Sequence, residues 1–346
     1  MKLSILLSLF ATTSVAQVIK RDASSNLRIM NWNLRNDGKP NDITIDETIN
    51  NLPKNVPNDE NVSFYTDYEE APWSDRRIGV ANEVLFNSPD VFTVNEALHR
   101  QVEDLKELLG WPYIGVGRDD GGESGEYEAI YYNPSKLNLI SNDTFWLSDK
   151  PFEPSKYPGA GYYRDATVCL FEDSSNGVQF VIINVHLDDE SDDQRKYAAA
   201  LVKYRAGYEY QDKHVPVFLV GDFNSQTSGK SCAAYEITTG SLDFDVSKLN
   251  TTFTEKYKND LSKISLNDLM KAAAPKDRMG HHATFTGFKS DTSSFSRIDF
   301  QFGSDPHNGD KLLWEVVRYK GGDNWYDDSF YLSDHRPVIT DLIIKN

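Results

Sequence analysis

Several apolar, β-rich segments of this chain end in polar side chains of the kinds that enzymes use for acid–base chemistry and metal binding. The clearest segment, Pro216–Val220, is followed closely by Asp222 and Asn224. On an extended chain, residues two positions apart point to the same side, so the carboxylate and the carboxamide would share one face. A single Asp or Asn at a strand end is usually a turn former. Its repetition along the chain favours a common site.

Two histidines and one further aspartate occupy comparable positions. His186 ends a strongly apolar segment, and His335, directly after Asp334, precedes the last β-rich segment. A lone histidine is more often structural, but imidazoles at strand ends beside carboxylates suit proton transfer or phosphate contact. Asp299 lies within an aromatic segment, where a charge is costly unless another group pairs with it.

Hard oxygen donors complete the set. Asn33 ends the first β-rich segment and Glu96 ends another. Oxygen donors with two histidines and no cysteine ligand indicate a Mg²⁺ or Mn²⁺ site. Hydrolysis of a phosphoester needs such a metal, a group that orients or deprotonates water, and donors for the developing charge. The residue types therefore predict a metal-dependent phosphoester hydrolase.

The elements that must position these residues follow from hydrophobic periodicity. Strands are predicted at Leu27–Asn33, Asp90–Asn95, Ala129–Asn133, Val178–Leu187, Val215–Gly221, Ser296–Phe302 and Pro337–Ile344. Helices are predicted at Arg76–Asn87, Arg100–Leu109 and Asp192–Gln211. Residues 178–222 read as strand, long helix, strand, which predicts a βαβ-like unit in a mixed α/β fold. Two polar insertions, residues 37–74 and 225–283, would lie at strand ends, where sites are usually built.

The order of these segments resembles the endonuclease/exonuclease/phosphatase superfamily, which includes DNase I-like nucleases, sphingomyelinases and inositol-phosphate phosphatases. Each motif is weak alone, and the specificity lies in their order over about Leu27 to Ile344. The motifs are Asn-Trp-Asn33, Asn-Glu96, Gly-Glu126 with Ile-Tyr-Tyr132, Asn-Val-His186, Gly-Asp222-Phe-Asn224, Arg-Ile-Asp299-Phe and Ser-Asp334-His335-Arg-Pro.

The resemblance implies a fold and a set of roles. The fold would be an α/β four-layer sandwich of two packed mixed β-sheets flanked by helices, DNase I-like, with residues 27–346 as a single catalytic domain. Glu96 and Asn33 would hold the metal, with Asp334 as a possible further ligand. The other roles concern water and phosphate: Asp222 would orient or deprotonate the attacking water, Asn224 would hydrogen-bond the phosphate, and His186 and the Asp299-braced His335 would stabilise phosphoryl oxygens or move a proton.

Three further matches to the superfamily are looser. Glu126 resembles the carboxylate that braces the first histidine in the DNase I branch, and Arg164 resembles a phosphate-contacting arginine there. The alternatives are a surface turn residue for Glu126 and a surface ion pair for Arg164. Arg35 stands where some members carry an acidic residue of a second metal site, and it too resembles the DNase I branch, where arginine can contact phosphate. This departure disfavours a two-metal mechanism.

The N-terminal residues have the pattern of a secretory signal peptide at 1–16, followed by a possible pro-segment or flexible stretch at 17–26. Its apolar run is about half the ~20 residues of a membrane span, so no stable membrane anchor is expected. The pair Lys20-Arg21 is either a processing site or an ordinary surface pair. Glycosylation sequons at Asn61, Asn142 and Asn250 agree with a secreted glycoprotein. Cys169 and Cys232 would form one disulfide or remain two isolated thiols.

The balance of charge bears on the substrate. Asp and Glu total 53 against 36 Lys and Arg, a net charge of −17. Tight binding of a long polyanion needs a basic surface, so a small or lipid-like phosphoester is favoured over long nucleic acid, acted on by a monomer. Three alternatives remain: an extracellular endonuclease or 3′–5′ exonuclease, a sphingomyelinase-like phospholipase, and a catalytically silent binding protein. The phospholipase would need an exposed aromatic hairpin, for which Trp325-Tyr326 is the candidate, although its acidic flanks favour a packed tryptophan.

Overall fold

The computed structural model describes residues 24–52, 54, 70–260, 264, 266–289, 291–326 and 330–345. The leader expected at residues 1–16, the pair Lys20-Arg21 and the sequon at Asn61 lie outside the described residues. The α-helices of the described part are Ile45–Asn51 (α1), Trp73–Asn87 (α2), His99–Leu109 (α3), Asp192–Lys213 (α4), Ala233–Thr239 (α5), Thr251–Lys256 (α6) and Leu269–Ala272 (α7).

The strands begin and end as follows. They are Ser24–Asn33 (β1), Val91–Asn95 (β2), Tyr113–Ile114 (β3), Ile130–Tyr132 (β4), Leu137–Trp146 (β5), Asp165–Asp173 (β6), Gln179–His186 (β7), Val217–Asp222 (β8), Asn267–Asp268 (β9), Arg278–Gly280 (β10), Asp299–Gly303 (β11), His307–Asn308 (β12), Lys311–Leu312 (β13), Trp314–Gly321 (β14), Trp325–Tyr326 (β15), Phe330–Tyr331 (β16) and Val338–Lys345 (β17).

Within the described residues, these strands form one seven-stranded and one six-stranded sheet, with two further two-stranded ribbons. The strand orders are β10-β14-β17-β1-β2-β4-β3 and β5-β6-β7-β8-β11-β9. The first strand lies at the centre of its sheet, because β1 pairs antiparallel with β17 and parallel with β2. In the other sheet, β7 and β8 are parallel neighbours joined by α4, which confirms the predicted βαβ unit.

Side chains of the central strands alternate between two cores. Ile29 of β1 faces a core between the sheets, which it shares with Ile182 and Phe218 of the other sheet. Its neighbours Met30 and Trp32 pack instead on the side of α2 and α3. A third core lies between the six-stranded sheet and α4, α5 and α6. The protein is therefore the predicted sandwich of helix, sheet, sheet and helix layers.

The same alternation carries four polar residues to the face between the sheets. Each lies four residues beyond a residue of the inter-sheet core, and side chains an even number apart on a strand share a face. The pairs are Ile29 and Asn33, Val91 and Asn95, Ile182 and His186, and Phe218 and Asp222. Strand pairing sets Asn33 beside Asn95 and His186 beside Asp222. One end of the inter-sheet core is therefore polar.

All predicted strands and helices are present, with ends that differ by a few residues. Three long strands, β5, β6 and β14, were not predicted, and the short strands β3, β9 and β10 and the two ribbons were also missed. The first polar insertion contains α1, and the second contains α5, α6 and α7. Among the described helices, none combines the length and apolar composition that a membrane span requires.

Other expectations concern single residues. Both cysteines are free thiols, Cys169 in the inter-sheet core and Cys232 partly exposed beside α5. The sequon residue Asn142 is exposed, whereas Asn250 caps α6 and its amide nitrogen donates to the Asp149 carbonyl at 2.9 Å. Trp325 is half-buried and its ring lies 3.8 Å, centroid to centroid, from that of Tyr331. The packed interpretation of Trp325 agrees with this contact better than a membrane-facing one.

Candidate active site

The polar strand ends surround one cavity of about 480 Å³ at the edge of the two sheets. Asn33 and Asp299 lie behind its wall and hydrogen-bond to residues that line it. The remaining predicted site residues all line the cavity: Arg35, Glu96, Glu126, Arg164, His186, Asp222, Asn224, Asp334 and His335. Residues from the whole length of the chain are thus brought to one place.

Asn33 connects two carboxylates. Its Nδ2 donates to Glu96 Oε1 at 2.9 Å and to Asp222 Oδ2 at 3.0 Å, and its Oδ1 accepts from the backbone N–H of Arg35 at 3.0 Å. Sequence reasoning expected Asn33 to be a metal ligand. In this structure its amide nitrogen faces the two carboxylates, and its contact with a metal stays a prediction.

His335 lies between two aspartates. Its Nδ1 is 2.8 Å from Asp299 Oδ2, and its Nε2 is 3.7 Å from Asp222 Oδ2. Burial would lower the pKa of His335, but the charge and hydrogen bond of Asp299, with the charge of Asp222, hold this pKa well above its usual value. The imidazole therefore favours the protonated state. The predicted bracing of His335 by Asp299 is confirmed by this geometry.

The Asp222 carboxyl is fully buried at the centre of the site. Burial and then the charge of Asp299 raise its pKa to about 7, against the opposing effects of His335 and of the hydrogen bonds from Asn224 and Asn33. A carboxylate with this pKa is a much better proton acceptor near neutral pH than an ordinary aspartate. The position and pKa of Asp222 fit the predicted role in taking a proton from water.

His186 is the second imidazole beside Asp222. Its Nε2 is 3.7 Å from Asp222 Oδ2, and its Nδ1 is 2.9 Å from Nη1 of Arg164. Burial, then the charges of Arg164 and Arg118, lower its pKa well below the usual value, so the imidazole is neutral. The two imidazoles therefore favour different charge states.

Asn224 has an unusual backbone conformation that turns it into the cavity. Its φ of 46° lies in the left-handed region, and its N–H donates to Asp222 Oδ1 at 2.8 Å. Its Nδ2 donates to the Leu187 carbonyl at 3.0 Å. A non-glycine residue in this region is uncommon and is often found at functional sites. The conformation fits the predicted contact with a phosphate.

Glu126 does not form the hydrogen bond to His186 that the resemblance implied. The distance from its Oε2 to His186 Nδ1 is 4.0 Å, too long for a hydrogen bond. Its Oε2 instead pairs with Nη1 of Arg118 at 2.6 Å, and its Oε1 accepts from Asn36 at 3.1 Å. Arg164 occupies Nδ1 of His186 in place of the glutamate.

The two predicted arginines differ in exposure. Arg164 is 3% exposed and its guanidinium contacts Asp188 and Asp189, so the alternative of a surface ion pair is wrong. Arg35 is partly exposed, and its Nη1 lies 3.7 Å from Glu96 Oε2. Both guanidiniums line the cavity, and both can face an anion there.

Sequence reasoning missed a group of buried ionisable residues behind His186. Glu128 and Asp165 are fully buried, and Glu128 Oε1 lies 3.9 Å from His186 Nδ1. Burial raises the pKa of Glu128 well above its usual value and that of Asp165 to about 7. Arg118, only 4% exposed, is the nearby cation. Glu128 follows Glu126 by two residues, and this same-face spacing is the one signal the sequence offered.

The site has carboxylates of the kind that a hard divalent cation prefers as ligands. Ligand atoms of Glu96, Asp222 and His335 lie within 4.8 Å of one another. Two carboxylates held this close repel each other, and a cation between them would remove the repulsion. Asp334 lines the cavity but is not part of this cluster among the described residues. Of the predicted ligands, Glu96 is the one that the cluster contains.

The fold and site define a class, and comparisons with known proteins agree. A family model described as the Endonuclease/Exonuclease/phosphatase family matches residues 30–335. The chain belongs to this family, which confirms the resemblance seen in its motifs. An uncharacterised protein of Acanthamoeba polyphaga mimivirus is 27% identical over 171 residues, and that match covers 47% of this chain and 63% of the viral protein.

Solved structures show the same fold. An endonuclease/exonuclease/phosphatase from Bacteroides vulgatus superposes with a TM-score of 0.68 at 24% identity, covering 92% of this chain and 98% of its own. A mannosyl-6-phosphatase from Bacteroides thetaiotaomicron gives a TM-score of 0.65 at 26% identity, covering 91% and 99%. The two-sheet α/β sandwich is therefore shared along nearly the whole chain.

Proposed function

We propose that this protein hydrolyses small phosphoesters with the aid of a divalent cation, Mg²⁺ or Mn²⁺. The observation that carries the proposal is the arrangement at Asp222, whose buried carboxylate lies 3.7 Å from each of two imidazoles, one neutral and one protonated. A base, an acid and a neutral donor are thus held around one cavity. This is the set that in-line attack of water on phosphorus requires.

The reaction can be assigned to residues of the chain. Asp222 accepts a proton from water as the new oxygen–phosphorus bond forms, and His335 gives its Nε2 proton to the leaving oxygen as the old bond breaks. His186, Asn224 and Arg164 face the remaining phosphoryl oxygens. A cation held by Glu96, with Asp222 and His335 beside it, would offset the charge that develops on those oxygens.

Two observations support a small substrate. The net charge of −17 disfavours a long polyanion, which binds along a basic surface. The Bacteroides thetaiotaomicron protein, 26% identical, is described as a phosphatase of a mannosyl 6-phosphate, which is a small phosphoester. An extracellular nuclease remains the competing interpretation, and its activity would fall steeply as salt is raised.

The test is a chelator experiment on the purified full-length chain. EDTA should abolish hydrolysis of small phosphomonoesters and phosphodiesters, and Mg²⁺ or Mn²⁺ should restore it. Glu96→Gln should need a higher cation concentration for half-maximal rate, whereas Glu236→Gln, on α5 outside the cavity, should not. Full activity in EDTA would remove the cation from the proposal. Hydrolysis of DNA or RNA alone would replace it with the nuclease.

A further inference from the structure

An exposed tyrosine at the mouth of the cavity has no role in the hydrolysis described above. Tyr162 is 49% exposed, yet its backbone is firmly held. The N–H groups of Gly161 and Tyr162 donate to the buried Asp188 carboxylate at 3.1 and 3.3 Å. Gly161 also lies so close to Glu190 that a Cβ there would be 2.9 Å from its side chain. Two backbone hydrogen bonds to a buried carboxylate therefore hold the segment that carries the tyrosine.

The ring itself is oriented by two buried cations. The guanidinium carbons of Arg118 and Arg164 lie 5.4 and 5.5 Å from the ring centroid of Tyr162, within the range of a cation–π contact. Arg164 also contacts His186 at the phosphoryl position. Only the Arg164 side chain thus lies between the ring and the place where the phosphoryl group is expected. That is the distance at which the alcohol part of a phosphoester would lie.

A carboxylate lies beside this ring. Asp189 lines the same cavity, its side chain is 52% exposed, and its Oδ1 accepts from Nη2 of Arg164 at 2.8 Å. A carboxylate fixed in this way can accept hydrogen bonds from hydroxyl groups of a ligand. It also repels a second phosphate, which the next nucleotide of a nucleic acid would bring.

The wall on the His335 side has a different character. It includes Phe285, whose ring lies 5.1 Å from that of His335, and Ile298, both half-buried. An acyl chain would prefer this apolar wall, whereas a ring rich in hydroxyls would prefer the wall with an exposed aromatic face and a hydrogen-bond acceptor. A lipid-like alcohol would therefore bind at the wall with Phe285 and Ile298, and a sugar-like alcohol at the wall with Tyr162 and Asp189.

We propose that Tyr162 and Asp189 form the subsite for the alcohol part of the substrate, and that this part is a sugar ring. The C–H face of the sugar packs on the Tyr162 ring, and neighbouring hydroxyls donate to Asp189. This inference rests on the proposed hydrolysis and adds the chemical class of its substrate. The choice of alcohol would therefore depend on Tyr162 and Asp189, neither of which takes part in the proposed hydrolysis.

The test compares a hexose 6-phosphate with glycerol 3-phosphate, each as the monoester and as its methyl diester, with Mg²⁺ or Mn²⁺ present. The comparison uses the pair, monoesters or diesters, that is hydrolysed faster. For that pair, the ratio of kcat/KM for the hexose over the glycerol substrate should fall about tenfold in Tyr162→Ala, mainly through KM. This is the size expected for one lost packing contact. Tyr162→Phe should restore most of the ratio, and Asp189→Asn should lower it severalfold. Phe86→Ala, which removes another exposed aromatic far from the cavity, should not change it.

The outcomes separate the subsite from the hydrolysis. If Tyr162→Ala lowers the rates for both substrates equally, the ring serves Arg118 and Arg164 and the subsite is wrong. If the wild-type protein prefers a phosphorylated lipid and Phe285→Ala removes that preference, the sugar assignment is wrong. If nothing is hydrolysed, the proposed function is wrong. The subsite can then still be tested by calorimetry: wild type should bind the hexose phosphate more tightly than glycerol phosphate, and Tyr162→Ala should lose this preference.

Discussion

The space between the two sheets has two ends of opposite character, although the same strands line both. At one end Ile29, Ile182 and Phe218 form a dry apolar core. Four residues further along each strand, Asn33, His186 and Asp222 line the active-site cavity or lie directly behind it. Strand alternation fixes which face a residue occupies, and only its position along the strand decides which end it joins.

The polar end is less well satisfied than the apolar end. Among the described residues, buried side-chain atoms beside the cavity that have no hydrogen-bond partner include Asp299 Oδ1 and Glu128 Oε1. Such groups are costly in a folded protein. The apolar end therefore provides stability, and the proposed hydrolysis would account for the polar groups at the other end. Substitutions at the two ends should therefore have opposite consequences.

The largest effect should come from Asp222→Asn. An amide cannot accept the proton of water, so kcat should fall by at least about 10²-fold with unchanged far-UV circular dichroism. His335→Ala should cause a loss of similar size, because it removes the protonated imidazole. Steady-state kinetics with the cation present measures both. Near-normal turnover in either variant would show that the polar end does not carry the chemistry assigned to it.

Phe218→Ala should have the opposite effect, a loss of stability with little change in kcat. Its ring is fully buried against Trp314, with ring centroids 5.8 Å apart, and removal of a buried phenylalanine leaves a cavity. The free energy of unfolding should fall by about 3–5 kcal/mol, while kcat of the folded protein changes less than about twofold. Denaturant titration and kinetics below the transition measure these quantities. A large loss of kcat without loss of stability would contradict the division between the two ends.

The free energy of unfolding should depend on pH because the Asp222 carboxyl at the polar end is buried. The pKa of Asp222 is raised to about 7 in the folded protein, so the native state binds this proton more tightly than the unfolded chain does. Wild-type stability should therefore fall as pH rises from about 4 through 7. In EDTA at pH 8, Asp222→Asn should be more stable than wild type by roughly 2–4 kcal/mol, and the difference should vanish near pH 4. A pH-independent difference would show that Asp222 does not titrate in this range.

The sequence was sufficient for most of the fold and for the residues that surround the cavity. Apolar runs that end in Asp222 or His186 combine strand periodicity with a polar terminus, and both signals are local. The strand β14 was missed because its alternation is interrupted: Val316 and Val317 are consecutive, and the pairing register shifts between Val316 and Arg318. The strand β5 was missed because most of its middle residues are exposed or half-exposed polar side chains.

It was harder to predict which residues of the site contact one another than to predict which residues belong to it. Glu126 and Glu128 both reach the neighbourhood of His186, yet Arg164 occupies the hydrogen-bonding position at Nδ1. The choice depends on ångström-scale distances between side chains from three separate strands or loops. Burial of Glu128 and Asp165 likewise results from tertiary packing, because nothing in an isolated strand distinguishes a buried carboxylate from a solvated one.

The pairing of β1 with β17 joins the two ends of the described chain, with Asn31 opposite Val338. During biosynthesis, β1 leaves the ribosome before its antiparallel partner and must wait for it until residues 338–345 have been made. Until then it has an unpaired edge, which is a template for aggregation. His335, placed just before β17, arrives at the same late moment. A chain that stops before residue 335 therefore lacks both the β1–β17 pairing and the imidazole that lies between Asp222 and Asp299.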